Sequence, residues 1–332
     1  MVIPVLLFIL GLVLLVKGGD WFVDGATGIA HRFHIPELLI GATVVSIGTT
    51  LPEVMVSATS AAGGHGEIAY GNAIGSIICN TALIAAITVA IRPAAIDKKA
   101  LRLPVIFFFL AAAIYSAVAY ATGYFSRAIG VVLVLIFLVY MAISVYRSLR
   151  QGALPSAAPD DGEKKEEEQK NTSARTGIIK EIVLLLIGAA LIAVGARLLV
   201  DNGTIIAQKL GVPEAVIALT FVALGTSLPE LVTAITSLAK GHGALSLGNV
   251  IGANLFNLVL VSGVSTLISP FPVPNNAQIA GINTSLLVDV PVMLFVMLLL
   301  TVPALIRGKL SRFQGIALLA IYAAFCVFQF TM

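Results

Sequence analysis

The chain has 332 residues, of which 58% are hydrophobic and 11% are charged, and its mean hydropathy is +1.02. Several apolar runs are about 20 residues long, enough to cross a bilayer, so they predict a multi-span membrane protein and exclude a soluble one. The net charge of +3 does not indicate a nucleic-acid partner, because Lys and Arg lie mostly in short loops, where they report membrane orientation. The two cysteines, Cys79 and Cys326, lie in apolar segments and indicate neither a disulfide framework nor a zinc site.

In chain order, the apolar runs predict ten spans. The first starts at the N-terminus and is interpreted as a retained span, because no basic residue precedes it and no small-residue cleavage site follows. The predicted spans are 2–29, 37–62, 67–91, 101–122, 126–148, 179–207, 214–239, 244–268, 284–305 and 312–330. The predicted fold class is an all-α integral membrane protein.

A change of composition divides the chain into 1–150, 151–177 and 178–332. The middle part has many charges and no apolar face, so it is interpreted as a solvated linker between two five-helix halves. Its acidic residues, Asp160, Asp161 and Glu163, lack the ligand spacing of an EF-hand loop, which favours a flexible connector over a calcium sensor.

The two halves are related by one constant offset of 177 positions, without a gap. The stretch A-T-V-V-S-I-G-T-T-L-P-E at 42–53 recurs as L-T-F-V-A-L-G-T-S-L-P-E at 219–230. Because each half has an odd number of spans, the second half must cross the membrane in the opposite sense to the first. The sequence therefore predicts ten transmembrane helices arranged as two inverted five-helix repeats.

The basic residues predict an orientation. If the N-terminus is outside, the outer loops hold only Arg127 and Lys209. The inner side then holds the linker with its flanks and Arg32, Arg92, Lys98, Lys99, Arg102, Lys240, Arg307, Lys309 and Arg312. This asymmetry predicts a multi-pass protein of the inner (plasma) membrane with both termini outside and the linker in the cytoplasm.

The repeated stretch places a proline and a glutamate in the middle of a span. Pro52 removes the helical partner of the Gly48 carbonyl and is expected to open the backbone near Thr49, and Pro229 is expected to do the same to Gly225. Free carbonyls in hydrocarbon are costly unless something, such as a cation, satisfies them. The neighbouring oxygen ligands, which suit Ca²⁺ or Na⁺, are those of Thr49, Thr50, Thr226, Ser227, Glu53 and Glu230.

The next span of each half carries a polar stripe. Asn72, Ser76 and Asn80 recur every four residues and share a helix face, while Gly71 and Gly75 are expected to allow close backbone approach. The second copy has Asn249, Ala253 and Asn257, with Gly248 and Gly252. Each feature alone favours a structural role, but their conjunction in an inverted duplication favours a transport site at the membrane midplane.

Other polar residues in or near the spans are interpreted as structural. Asp289 has no repeat partner, and Asp20, Asp24 and Asp201 lie in the first and sixth spans. The histidines of the two G-H-G loops, His65 and His242, are interpreted as parts of solvated turns rather than as metal ligands.

Four motifs carry a family resemblance: G-T-T-L-P-E at 48–53, G-N-A-I-G-S at 71–76, G-T-S-L-P-E at 225–230 and G-N-V-I-G-A-N at 248–254. Together they resemble the two alpha repeats of the sodium/calcium exchangers, in a minimal microbial form. The resemblance implies exchange of cytoplasmic Ca²⁺ for extracellular Na⁺ by alternating access. It implies that Glu53 and Glu230 hold one Ca²⁺ together with backbone oxygens at Thr49 and Thr226. The implied sodium sites use the positions of Ser46, Thr50, Ser76, Ala223, Ser227 and Ala253.

The chain departs from that pattern at two positions. Ala253 lacks the expected hydroxyl, and Asn257, which matches Asn80, stands where some members carry an aspartate. The coupling ion therefore stays open, and a proton-coupled Ca²⁺ antiporter is the alternative, in which Glu53 and Glu230 titrate. A passive cation channel is a further alternative, whereas an enzyme would need a catalytic pairing that the spans lack. The expected partners are Ca²⁺, Na⁺ and the lipid bilayer, with no cofactor, and a functional monomer is expected.

Overall fold

The computed structural model describes residues 2–93, 95–152, 167–210, 225–275, 278–279 and 281–331. Its helices, numbered here in chain order, are α1 Val2–Arg32, α2 Glu37–Ala62, α3 Gly66–Ile91, α4 Lys98–Thr122, α5 Arg127–Gly152, α6 Glu167–Lys209, α7 Leu228–Ala239, α8 Gly243–Ile268, α9 Ser285–Arg307 and α10 Arg312–Thr331. Two short antiparallel pairs join β1 Tyr124–Phe125 to β2 Phe271–Pro272, and β3 Gln278–Ile279 to β4 Ile282–Asn283.

The helices confirm the predicted all-α membrane fold. Within the described ranges, nine helices are long and apolar enough to cross a membrane, and α7 is a shorter apolar helix of 12 residues. The predicted span 214–239 matches α7 only in its second half, because 211–224 lie outside the described residues. In the most hydrophobic 18-residue stretches of α3 and α8, 72% and 78% of the residues are buried. The corresponding share is 22% in α1, α5 and α6, so α3 and α8 form the centre of the bundle.

The helices flanking the charged segment extend further than predicted. α5 ends at Gly152 and α6 begins at Glu167, so part of the predicted linker 151–177 is helical. Hydropathy marks where a helix leaves the bilayer, whereas the helix itself continues through Glu, Gln and Lys, which are strong helix formers. The rest of the linker, 153–166, lies outside the described residues.

Glycines bring α1 and α6 into close contact. A Cβ placed on Gly11 would lie 2.9 Å from the Gly195 carbonyl oxygen, and one on Gly18 would lie 2.9 Å from the Gly188 carbonyl oxygen. Only glycines permit this approach of two backbones. The crossed pairing, in which the earlier glycine of one helix meets the later glycine of the other, means that α1 and α6 run antiparallel. Two inverted repeats would require this arrangement, since Gly11 and Gly18 are the repeat partners of Gly188 and Gly195.

Stretches of π-helix interrupt the central helices near their polar residues. They span Gly41–Val45 in α2, Asn80–Ala85 in α3 and Asn257–Val261 in α8. The last two begin at equivalent positions of the two halves. A π turn changes the hydrogen-bond spacing and is often found at functional sites. Asn80 and Asn257 therefore stand where the backbone of each central helix is irregular.

Candidate ion-binding site

Two buried glutamates form the centre of the site. Glu53 of α2 and Glu230 of α7 each have no solvent exposure, and their carboxyl groups are near enough to interact electrostatically. None of their four carboxylate oxygens has a hydrogen-bond partner among the described residues. A buried carboxylate is stable only when it is protonated or when a cation or hydrogen-bond donors compensate it. The pair therefore forms an acidic centre suited to a cation.

Neutral oxygens surround this centre. Thr49 and Thr50 of α2 lie beside the Glu230 carboxylate. Several further side-chain polar atoms are buried without a hydrogen-bond partner in the described part of the chain, namely those of Thr50, Ser227, Asn80 and Asn257. Unsatisfied buried polar groups are few in folded proteins, and a bound ion or water is one recognised explanation for them.

The two prolines behave differently from each other. Residues Ser46–Ala62 are α-helical with Pro52 inside, so the predicted opening at Thr49 is wrong for the first copy, whose irregularity is the π turn at Gly41–Val45. In the second copy, residues 225–227 form a turn and Pro229 lies in the first helical turn of α7. The Gly225 carbonyl, predicted to be free, accepts a long hydrogen bond of 3.4 Å from the Leu228 amide. Pro229 fits this helix start because its missing N–H needs no partner there.

Hydrogen bonds fix the polar residues around the glutamates. Asn72 Nδ2 donates to Ser57 Oγ at 2.8 Å and to the Glu53 carbonyl at 3.3 Å, which ties α3 to α2. Its repeat partner, Asn249, instead accepts from Thr49 Oγ1 at 3.1 Å through its side-chain oxygen, which ties α8 to the other half. The Ser46 hydroxyl lies 2.9 Å from the Asn249 carbonyl oxygen. Equivalent asparagines therefore make different contacts in the two halves.

Glycines of α8 make close contacts with the first half of α2. A Cβ on Gly248 would overlap the Leu38 carbonyl, and one on Gly252 would overlap Ala42 and Ser46, so α8 packs backbone to backbone against the first half of α2. This contact, which also includes Gly41, is called the glycine seam below. For Gly71 and Gly75, no atom of the described residues outside their own helix lies within 4 Å of a built Cβ, and the repeat partners of the residues that Gly248 and Gly252 contact lie in 211–224, outside the described residues. The predicted close approach is confirmed for the second pair, and for the first pair it stays a prediction.

Two cavities lie beside the site among the described residues. One, of about 360 Å³, is lined by residues of α3 that include Gly71, Asn72, Gly75 and Ser76, and is called the α3 cavity. The other, of about 660 Å³, lies between α2 and α6 and reaches Pro52 and Pro229. Val56 and Thr226 line both cavities.

The structure brings most of the predicted site residues to one place. Thr49, Ser46 and Ser76 are buried, and Thr226 is half-buried at the wall of both cavities. Ala223 lies outside the described residues. The sequence analysis missed buried hydroxyls on one face of α7, at Thr233 and Ser237. Helical spacing could have found them, because they follow Glu230 by three and seven positions.

Residues interpreted as structural make ion pairs or hydrogen bonds away from the site. Lys240 Nζ lies 2.7 Å from Asp24 Oδ1 and 3.5 Å from Asp20 Oδ1. Asp289 accepts a hydrogen bond of 2.8 Å from Gln329, and Asp201 pairs with Arg197 at 3.6 Å.

One interpretation from the G-H-G loops is wrong. His242 does not lie in a merely solvated turn, because its Nδ1 is 2.8 Å from Glu37 Oε1 and its side chain is only 26% exposed. Its repeat partner, His65, is exposed, as predicted. The return of the chain onto the start of α2 explains the difference, which loop composition does not reveal.

These features define a polytopic helical membrane protein with a paired-carboxylate site in its interior. Residues 3–146 and 180–331 match the sodium/calcium exchanger protein family, and the chain belongs to that family. Members of this family are transporters and not enzymes, so the chain is assigned to cation/calcium antiport.

Full-length relatives support the assignment. The chain is 36% identical to the uncharacterized membrane protein MJ0091 of Methanocaldococcus jannaschii, over 95% of this chain and 94% of that protein. It is 29% identical to the sodium/calcium exchanger MaX1 of Methanosarcina acetivorans, over 98% of both. A solved structure of the sodium-calcium exchanger NCX_Mj, soaked with Na⁺ and Sr²⁺, superposes with a TM-score of 0.78 at 34% identity and 97% coverage of both chains.

Proposed function

We propose that this protein exchanges Ca²⁺ for Na⁺ by alternating access and that it extrudes cytoplasmic Ca²⁺. The observation that carries the proposal is the pair of fully buried carboxylates, Glu53 and Glu230, whose oxygens accept no hydrogen bond of normal geometry within the described ranges. Two carboxylates, hydroxyls and backbone carbonyls are hard oxygen ligands of the type that Ca²⁺ and Na⁺ take. The family and the relatives add the expectation that sodium is the coupling ion.

The inverted relation of the two halves supports alternating access. The antiparallel contact of α1 and α6 through Gly11, Gly18, Gly188 and Gly195 is the one that inverted repeats require. The paired carboxylates come from α2 of the first half and α7 of the second. If the halves exchanged conformations, the same site would face the other side of the membrane.

The test is calcium uptake by lipid vesicles that contain the purified protein. Vesicles loaded with Na⁺ and diluted into Na⁺-free medium with Ca²⁺, at equal pH on both sides, should accumulate Ca²⁺, and a sodium ionophore should abolish this accumulation. The rival proposal is proton coupling, for which the two buried carboxylates would carry the protons. Uptake driven by a pH gradient without Na⁺ would favour this rival.

A first prediction concerns the hydroxyl that the second half lacks. Ser76 is buried at the wall of the α3 cavity, whereas its repeat partner, Ala253, is buried and has no side-chain oxygen. Ala253→Ser should lower the Na⁺ concentration that gives half-maximal exchange, because it adds a hard oxygen ligand. Ser76→Ala should raise it. Titration of Ca²⁺ uptake with Na⁺ measures both, and an unchanged Na⁺ dependence in both variants would exclude these positions from a sodium site.

A second prediction concerns the glycine seam. Gly248→Ala places a methyl group against the Leu38 backbone, an overpacking that costs about 1–3 kcal/mol, so it should destabilise the protein. Thermal unfolding in detergent should show a lower midpoint for Gly248→Ala than for the unchanged protein. An unchanged midpoint would contradict the close contact of α8 with α2.

A further inference from the structure

Two loops on one side of the bundle are joined through their backbones. The loop between α3 and α4 and the loop between α9 and α10 form an antiparallel bridge at Ala95 and Lys309. Next to this bridge, the Ile96 amide donates a hydrogen bond to the Gly308 carbonyl at 2.9 Å. One loop belongs to each half of the chain, and the two are therefore held side by side.

The joined loops concentrate positive charge. Segments 91–102 and 305–313 contain seven basic residues and one acidic residue, Asp97, which gives a net charge of +6. The whole chain carries +3, so all the other residues together carry −3. The seven residues, called the basic platform, are exposed except for the half-buried Lys98; they are Arg92, Lys98, Lys99, Arg102, Arg307, Lys309 and Arg312.

The equivalent loops on the opposite side show that the fold does not need this charge. There, at the other ends of α4 and α9, β1 pairs with β2 in the same antiparallel way. The Val273 amide donates to the Gly123 carbonyl at 2.8 Å, as in the pair described above. The corresponding segments, 120–128 and 268–279, contain one charged residue, Arg127. The same backbone pairing therefore forms with and without a basic platform.

The position of the platform favours an anion of the membrane surface. Basic loops set the orientation of membrane proteins, but that effect is counted loop by loop and does not require the charges of two loops to meet. Lys98 and Lys99 lie in the first turn of α4, where the helix dipole disfavours cations and favours a bound anion such as a phosphate. Apolar side chains that are 61–79% exposed, those of Ile91, Ile306 and Phe313, flank the platform. The platform therefore lies at the boundary between lipid chains and headgroups.

From these observations we propose that the basic platform binds the headgroup of an anionic phospholipid in the leaflet on its side of the membrane. Two of its residues join the loops: Lys98 Nζ donates to the Ile306 carbonyl at 2.7 Å, and Arg312 Nη2 lies 3.5 Å from the Ile91 carbonyl oxygen. The other five side chains extend from the joined loops and can contact a phosphate, to which arginine donates two parallel hydrogen bonds. Basic groups next to transmembrane helices attract anionic lipids in this way. The proposal does not depend on which ions the protein exchanges.

Equilibrium binding of radiolabelled lipids tests the platform in purified protein captured on beads in a neutral detergent. Dioleoyl phosphatidylglycerol and dioleoyl phosphatidylcholine have the same acyl chains, so a difference between them reports the headgroup. Phosphatidylglycerol should bind more tightly, and raising NaCl from about 50 to about 500 mM should remove most of the difference, because salt screens exposed charges. This comparison needs no variant.

A combined variant locates the site. Lys99→Gln, Arg102→Gln and Lys309→Gln remove three platform charges and keep Lys98 and Arg312, which join the loops. The variant should bind phosphatidylglycerol about 10- to 100-fold more weakly, the loss expected for three basic residues at an anionic surface. Its affinity for phosphatidylcholine should stay the same.

The matched control removes the same number of exposed charges outside the platform, by Lys17→Gln, Arg127→Gln and Arg197→Gln. It should change phosphatidylglycerol binding by less than about twofold, because charges elsewhere on the surface are screened. Equal affinity for the two lipids, or an equal loss in both combined variants, would overturn the site. Displacement of phosphatidylglycerol by millimolar inorganic phosphate at constant ionic strength would overturn it in favour of a free anion. Binding that requires neutralisation of the acidic linker residues would overturn it in favour of the linker. Because binding is measured without an ion gradient, a failed lipid site and a failed exchanger assignment are distinguishable.

Discussion

Glu53→Gln and Glu230→Gln are each expected to abolish calcium transport while leaving a folded protein. The amide has almost the size of the carboxylate but no charge, so one of the two negative charges that offset Ca²⁺ is lost. Because both side chains are fully buried, water cannot replace the lost ligand without opening the site. Calcium uptake into vesicles driven by a sodium gradient measures the loss, and we expect a fall to the level of protein-free vesicles.

Folding of these variants should be preserved or improved. Each glutamine removes a buried charge that has no hydrogen-bond partner among the described residues, and an uncompensated buried charge is destabilising. The thermal midpoint in detergent without calcium should therefore not fall. The control is Glu67→Gln, at an exposed position in the first turn of α3, which should transport normally. Near-normal calcium transport by either Glu53→Gln or Glu230→Gln would refute the site.

The sequence predicted the elements of this site better than their arrangement. A carboxylate beside a proline within an apolar run indicates a functional site, because charge is costly in a membrane. Glu53 and Glu230 are buried and close to each other, as this pattern predicts. The one-turn glycine spacing predicts close helix packing, but it does not indicate which helix is the partner. Gly248 packs against the backbone of α2 at Leu38, in the other half of the chain, and local pattern does not reveal such a contact.

The contact between His242 and Glu37 shows a second limit of the sequence. His242 and Glu37 are 205 positions apart, and neither residue type nor local composition indicates that they meet. Their contact follows from the packing of α8 on α2, which is set by glycines one turn further along. Long-range polar contacts of this kind require the folded bundle, whereas membrane spans and repeat offsets follow from hydropathy and identity alone.

Transport is expected to be an obligatory exchange, for a reason of charge. A site with two carboxylates is neutral with one Ca²⁺ and neutral with two Na⁺, but it carries two negative charges when empty. Moving uncompensated charge into low-dielectric surroundings costs several kcal/mol per ion even after relaxation. The loaded forms can therefore pass through a closed intermediate, while the empty form is held back.

Calcium efflux from loaded vesicles should consequently require Na⁺ or Ca²⁺ on the opposite side. Into a medium with neither ion, at constant pH, efflux should fall to the leak of protein-free vesicles, and adding either ion should restore it. External Na⁺ should sustain net Ca²⁺ efflux. External Ca²⁺ should sustain only a one-for-one exchange of labelled for unlabelled Ca²⁺, with no net efflux, which distinguishes return of the site with Na⁺ from return with Ca²⁺. Sustained efflux without either ion would contradict obligatory exchange. A step in external pH would then discriminate the remaining alternatives, because protons can neutralise both carboxylates in a proton-coupled antiporter, whereas a passive channel needs no ion in return.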